Sequence, residues 1–283
     1  MSTADANAVT TGLKGKESRC YFYDPIFSQA ESRVVYALTH DPELLKIARS
    51  QPHEFDTHKF VGSCISGLPE SDIVGNKRQA YKKIAHGSHY DEQPPRISDS
   101  LLKDGFIFTI EECARGQQRY LSRFPSIQAV YQANIRMRLI RERKLTNSWG
   151  ASIFFKYEHL DPQLYRRGYA WVPQSEIGRL LNQAGFIPVD NFLLRNNLRS
   201  KLNLQVHDEI CLSTCPEEAW DVLRFIHESM HVERVYEGEK LTIPIEYAVE
   251  IRYHSDDYVM KKFPESKDEF MSGFMPLWEK RIR

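Results

Sequence analysis

Cysteine is scarce and scattered in this chain. Cys20, Cys64, Cys113, Cys211 and Cys215 are odd in number and form no C-x-x-C pair, which argues against a disulfide framework and against a zinc site. Long hydrophobic runs are missing as well. No apolar stretch approaches the roughly 18 residues that span a bilayer, and Met1 to Lys16 lacks the apolar centre of a secretory signal. Nor is there an excess of either charge, Lys+Arg and Asp+Glu both standing at 38, so no overall field draws a polyanion or a membrane surface. No internal repeat or low-complexity tract interrupts the chain. These absences leave a soluble protein of a reducing intracellular compartment. Its 283 residues, 41% of them apolar, suffice to bury a core without staples or metals.

The zero net charge hides segregation. Arg136, Arg138, Arg141, Arg143 and Lys144 crowd one stretch, while Glu217, Glu218 and Asp221 open another, so nucleic acid is not excluded as a partner. Residues 1–18 read as a flexible leader. A strand is expected at Cys20–Tyr23, with Pro25 disturbing the ladder that follows. Helices are expected from about Glu31 to Leu38, from Pro42 to about Ser50 with Asp41 as N-cap, and from near Asp56 or Thr57. A further helix covers Asn76–His86, and Pro94, Pro95 and Gly105 mark a long irregular connection. Thr109-x-x-Glu112 is a capping box opening a helix to about Arg123, and Pro125 opens another to about Arg143. Leu145–Phe155 suggests a turn and a short strand, and Pro162–Ala184 a helix bent at Pro173. Lys201–Ser213 alternates as a strand or hairpin, Pro216–Met230 is an amphipathic helix, and Ile243–Ile251 a final strand. This order predicts an α+β fold with a small antiparallel sheet.

Two constellations carry chemistry. Gln205-Val206-His207-Asp208-Glu209 places adjacent carboxylates in an otherwise apolar strand, where desolvation is costly without compensation, a divalent cation being the usual one. Taken alone, the triplet fits a solvent-exposed hairpin tip equally well. Arg78, Lys82 and His86 lie at i, i+4 and i+8, so three potential cations share one helix face and could straddle a triphosphate. A solvated basic face has the same pattern.

Joined with other segments, these motifs resemble the polymerase domain of the family-A, DNA polymerase I-like, DNA polymerases, most closely the phage type. Ser28-Gln29-Ala30-Glu31-Ser32-Arg33 is similar to the family's first palm motif, D-x-S-Q-x-E-x-R. Asp41-Pro42 and Asp56-Thr57-His58 match the segments after it. Arg78-x-x-x-Lys82-x-x-x-His86-Gly87-x-x-Tyr90 is similar to the fingers helix, Arg166 to Ser175 to the template-side helix with its P-Q-S element, and Val206-His207-Asp208-Glu209 to the last palm motif, V-H-D-E.

The resemblance implies a palm with a small antiparallel sheet and flanking helices, helical fingers, and neither thumb nor exonuclease. It divides the chain into a leader (1–18), a first palm part (19–58), fingers (59–144) and a second palm part (145–283). It implies template-directed DNA synthesis: a primer 3′-hydroxyl attacks the α-phosphorus of a deoxynucleoside triphosphate, assisted by two Mg2+ (or Mn2+) ions about 3.5–4 Å apart. Asp208 would ligate metal and Glu209 lie near it. Arg78, Lys82 and His58 would contact phosphates, with Lys82 placed to protonate pyrophosphate. Glu31 would crowd the sugar 2′ position, with Gln29, His86 and Tyr90 completing the nucleotide pocket. His207, Arg166 and Gln174 would touch primer or template.

Some positions depart from the pattern. The family's first metal-binding Asp falls at Ile26, and the nearest carboxylate, Asp24, lies two residues earlier, about 6.6 Å away in a regular strand. Asp24 replaces the ligand only if the strand bulges. His86 stands in place of Phe or Tyr, Asp91 in place of Gly, Ala151 in place of Arg and Ala170 in place of Asn. With the first palm motif so near Met1, a separately encoded thumb-bearing or exonuclease chain is expected as partner, in the cytoplasm of a bacterial or phage-infected cell. The alternative is an impaired polymerase-fold subunit that binds primer-template or nucleotide with little chemistry.

Overall fold

The computed structural model describes residues 21–206, 208–250 and 258–282. The expected leader, Cys20 and His207 lie outside them. The chain forms two compact units, one comprising the residues up to Ser28 with Leu180–Val232 and Pro244 onward, the other Gln29–Arg179 with Glu233–Ile243.

The first unit is built on a five-stranded antiparallel sheet. Its central strand β1, Tyr21–Phe27, is rich in the aromatic and β-branched residues that favour a pleated surface. The disturbance expected at Pro25 is confined to one side of the strand. Pairing with Ile245–Glu250 runs without a shift from Phe22↔Glu250 to Phe27↔Ile245, through Asp24↔Ala248 and Pro25↔Tyr247. On the other side, Tyr21↔Thr214 to Tyr23↔Leu212 and Ile26↔Glu209 keep one register while Asp24 and Pro25 are skipped. A residue in an antiparallel strand directs its N–H and C=O to the same neighbour, and neighbours alternate. Phe27 N–H points to Asp208, so the proline nitrogen faces that same side, and only one bond there is lost.

The sheet is completed by β4, Lys201–Val206, β5, Glu209–Thr214, β8, Ile245–Glu250, and β9, Tyr258–Met260, in the order β4-β5-β1-β8-β9. The expected hairpin around His207–Glu209 is present. β8 is not the last element, since β9 and a helix, Lys267–Ile282, come after it. The helix Pro216–Met230 buries Ala219, Val222, Leu223, Ile226 and Met230, the spacing of one apolar helix face.

The helix expected to end at Ala184 does not. Pro162–Leu180 passes through Pro173, then gives way to a π-helical turn, Leu181–Phe186, and a helix, Ile187–Arg195. Pro188 falls at the start of that last helix. Gly185 permits the π-helical turn to lie against β5, because a Cβ there would meet Ile210 Cδ1 at 2.6 Å and Met230 Cγ and Sδ at 3.4 Å. Gly185→Ala is therefore expected to destabilise the protein by about 1–3 kcal/mol through overpacking, read as a lowered denaturant midpoint at unchanged slope.

The second unit is mainly helical. In chain order it contains α1, Ala30–Leu38, α2, Pro42–Arg49, α3, Thr57–Ser66, and α4, Gly75–His89. The Asp41 carboxylate accepts from the N–H groups of Glu43 and Leu44, and Asp56 from those of His58 and Lys59, the capping the sequence predicts at Asp41. The segment expected to be irregular is instead α5, Pro94–Lys103. Its prolines occupy the first turn, and Ile97 and Leu101, one turn apart, are buried. Next come α6, Ile110–Arg123, with both halves of the capping box formed, a π-helical turn, Ile127–Gln132, and α7, Ala133–Glu142.

A ribbon of β2, Lys144–Thr146, and β3, Ser152–Phe154, precedes α8, the helix Pro162–Leu180. A second hairpin, β6, Glu233–Tyr236, with β7, Glu239–Thr242, was not expected. Its signal is present in the alternation of Arg234-Val235-Tyr236 and in the Glu237-Gly238 turn, where both residues have positive φ, 50° and 97°, as a tight type I′ hairpin requires.

Candidate active site

In the first unit, Asp208 occupies the turn between β4 and β5 and is half-buried. Its backbone carbonyl accepts the Phe27 N–H at 3.3 Å, which fixes the turn beside the end of β1. Glu209 opens β5, 8% exposed, level with Ile26. The structure therefore brings Asp208 and Glu209 beside the end of β1. On β1 it brings an isoleucine to that level. Asp24 stands two residues away, level with Ala248 on β8, in a strand whose register to that neighbour is unshifted.

The bulge that would let Asp24 replace Ile26 is thus not formed in the backbone. Among the described residues no group of three or more His, Cys, Asp or Glu side chains has a metal-holding arrangement. The residues present do not fit a two-ion site that needs a carboxylate at position 26.

The second unit carries the cationic helix. Arg78, Lys82 and His86 lie along α4, as the sequence predicts, and Tyr90 is its C-cap. Two groups form along it. At the C-terminal end the Glu31 carboxylate accepts the Tyr90 hydroxyl at 2.5 Å and faces His86 Nε2 at 3.1 Å. The His86 ring stands edge-on to Tyr90, centroids 4.9 Å apart. Burial raises the Glu31 carboxyl, but the hydrogen bonds from His86 and Tyr90, the His86 charge and a hydrogen bond from Gln174 outweigh it and hold it low. Burial and then the Glu31 charge push the Tyr90 phenol well up. Glu31, His86, Tyr90 and Gln174 are thereby one connected set. Gln29 sits at the N-cap of α1 in the left-handed region, φ 54°, and Arg166 is half-buried on α8.

Toward the N-terminal end, Arg78 grips Asp56: Nε lies 3.2 and 3.1 Å from the two carboxylate oxygens and Nη2 3.1 Å from Oδ1. The same carboxylate caps α3. Burial raises Asp56, yet the Arg78 hydrogen bonds and charge carry it below its usual range. His58, in the first turn of α3, is buried, and burial, then the Lys82 and Arg78 charges, bring it down to about 3. A neutral imidazole accepts or donates without adding charge.

Sequence reading missed Asp56 as a partner of Arg78. The available signal was an N-cap aspartate preceding a basic helix in a motif already singled out. It also missed His89, one turn beyond His86 and fully buried, whose Nε2 lies 3.0 Å from the Tyr120 hydroxyl, itself 3.0 Å from that of Tyr36. This chain of hydroxyls and imidazole supports α4 from beneath. Asp91, in place of glycine, adopts φ 57°, a conformation aspartate tolerates better than most side chains.

The buried histidines make acid sensitivity predictable. His58 and His89 are depressed in the folded state, His89 chiefly by burial and then by the His86 charge. Below pH 6.5 the unfolded chain takes up protons that the folded chain refuses, so stability is complete above that value and is lost as pH falls toward about 3. Each such group costs about 1.4 kcal/mol per pH unit in that window. Denaturant melts at pH 7.5 and 5.5 are expected to differ by about 2–3 kcal/mol from these two groups together, and His58→Gln to remove about half of the difference.

Residues 3–256 match the family described as DNA polymerase family A. The chain belongs to this family. Among its relatives, the DNA polymerase of Bacillus phage SP01 is 23% identical over 263 residues, covering 90% of this chain and 28% of the relative. DNA polymerase I of Pseudomonas aeruginosa is 24% identical over 190 residues, covering 66% and 20%. This family member thus spans about a quarter of the length of such relatives. Among solved structures, the POL domain of Pol1 from M. smegmatis, in complex with DNA primer-template and dNTP, matches with a TM-score of 0.67 at 18% identity, covering 82% of this chain and 40% of that one. The fold is that of part of a family-A polymerase domain, α+β with small antiparallel sheets. No described helix is long and apolar enough to cross a membrane.

Proposed function

We propose that this chain supplies the palm and fingers of a DNA polymerase, holding primer-template DNA and a deoxynucleoside triphosphate for template-directed synthesis, in the cytoplasm of a bacterial or phage-infected cell. The observation that carries this reading is the line of Arg78, Lys82 and His86 on α4, continued by Tyr90 on the Glu31 carboxylate. Arg78 and Lys82 offer a guanidinium fork and a mobile ammonium to the β- and γ-phosphates, with neutral His58 as a further phosphate contact. Lys82 is the proton donor for departing pyrophosphate. Glu31, held by Tyr90 and His86, blocks the space of a ribose 2′-hydroxyl, and Gln29 completes that wall. His207, Arg166 and Gln174 contact primer and template.

The family's reaction uses Mg2+, with Mn2+ as a substitute, to activate the attacking oxygen and stabilise the leaving group. Asp208 and Glu209 are the carboxylates this chain offers. Ile26 removes the shared anchor, so transfer by this chain is slow, since positioning and charge neutralisation dominate phosphoryl transfer. A separately encoded thumb-bearing polypeptide is the partner in this reading, because phosphate contacts supply most non-specific grip on DNA. The same Ile26 favours one other reading, a subunit that binds nucleotide and primer-template without chemistry.

Primer extension with magnesium or manganese separates them. The first reading expects slow incorporation that Asp208→Ala abolishes. Absence of incorporation by the unaltered chain, even with a thumb-bearing partner supplied, leaves only the binding role.

A further inference from the structure

The β2–β3 ribbon lies in a basic stretch of the chain and carries an exposed aromatic ring. Residues 136–167 hold eight Arg and Lys against three Asp and Glu, in a chain whose charges cancel overall. The ribbon has two strands only, paired Lys144↔Phe154, Leu145↔Ile153 and Thr146↔Ser152. Alternation sends Leu145, which is buried, to one face and Lys144, Thr146, Ser152 and Phe154 to the other. On that outer face the Phe154 ring is 55% exposed, and Tyr157, three residues on, is 98% exposed. Lys144 Nζ lies 5.5 Å and Lys156 Nζ 5.3 Å from the Phe154 centroid.

Two of the three acids are engaged elsewhere. Glu158 pairs with Arg167, and the Asp161 carboxylate accepts the Leu164 N–H at the start of α8. Neither Lys144 nor Lys156 forms an ion pair among the described residues.

An exposed aromatic ring fenced by two ammonium groups fits one class of ligand best. Protein interface cores are depleted of lysine, and a second copy of this ribbon would set like charges against each other. A duplex hides the faces of its bases. A single strand presents both what the ring lacks, a π-face to stack on, and what the lysines lack, phosphates. We propose that the outer face of the β2–β3 ribbon is a platform for single-stranded nucleic acid, with Phe154 and Tyr157 stacking on bases and Lys144 and Lys156 taking the flanking phosphates. Only the identity of that strand, the unpaired template, rests on the polymerase reading.

The test is fluorescence anisotropy of the whole chain with labelled oligo(dT), with no primer and no nucleotide present. Phe154→Ala with Tyr157→Ala is expected to weaken binding at least about tenfold, and Phe154→Trp to restore it in the Tyr157 background. Lys144→Gln with Lys156→Gln should flatten the dependence of log affinity on log salt by about 1.4, two single-strand phosphate contacts. Tyr157→Ala alone, at a site almost wholly in solvent, guards against misfolding as the cause. Unchanged affinity in the aromatic variants overturns the proposal, as does equal binding of a blunt duplex of the same length. Failure of primer extension with oligo(dT) binding intact counts against the polymerase reading and leaves the platform standing.

Discussion

Ile26→Asp is expected to raise nucleotide incorporation by about 10²–10³-fold, the scale on which a single well-placed charge-stabilising group acts in a closed site. Position 26 is level with Glu209 and adjoins Phe27, whose N–H holds the Asp208 turn. Isoleucine contributes only a backbone carbonyl there, and the ladder already uses it. An aspartate would put a carboxylate beside Glu209 on neighbouring strands. Without a cation, two such groups repel and cost stability. With one, the same pair binds it, so divalent ion should stabilise the variant more than the unaltered chain by mass action. The predicted signature is a lower denaturant midpoint in chelator, recovery in Mn2+, and faster primer extension. Asp24 offers the opposing outcome. If Asp24→Ala abolishes residual activity while Ile26→Asp adds nothing, the strand bends in the working complex and Asp24 is the anchor.

What the sequence made legible was mostly local. Caps at Asp41 and Thr109, the period of α4 and the alternation around Val206–Glu209 each follow from short-range chemistry, and each was found where expected. The misreadings at prolines share a cause. Pro94 and Pro95 were treated as interruptions and Pro25 as disturbing its ladder, yet each lies where its missing N–H is cheap, on one side of a strand or in a first helical turn. Whether a proline breaks an element depends on which neighbour its nitrogen faces, and that is settled by tertiary pairing. The candidate site divides the same way. Spacing named Arg78, Lys82 and His86, and the family resemblance added Tyr90 and Glu31. Their links to one another, and the grip of Asp56 on Arg78, depend on helices meeting side by side, which no spacing along the chain encodes.

That grip gives the second large effect. Arg78→Ala is expected to weaken deoxynucleoside triphosphate binding by about 10- to 100-fold, the equivalent of one charge-assisted hydrogen-bonded pair. The Asp56→Asn exchange should act in the opposite direction. Asp56 now divides its oxygens between two amide N–H groups of α3 and the Arg78 guanidinium, so an incoming triphosphate competes with it for the same fork. Asparagine caps a helix about as well as aspartate and leaves α3 in place, while removing the charge that holds Arg78. Both side chains are 26% exposed, so solvent screening keeps the gain modest, about three- to tenfold in affinity. In the double variant the benefit of Asp56→Asn should vanish, because there is no guanidinium left to release. Isothermal titration of the four proteins completes the cycle. An Asp56→Asn gain that persists without Arg78 would mean that the carboxylate repels the triphosphate directly, and that Arg78 serves α3 and α4 as a strut instead of serving the nucleotide.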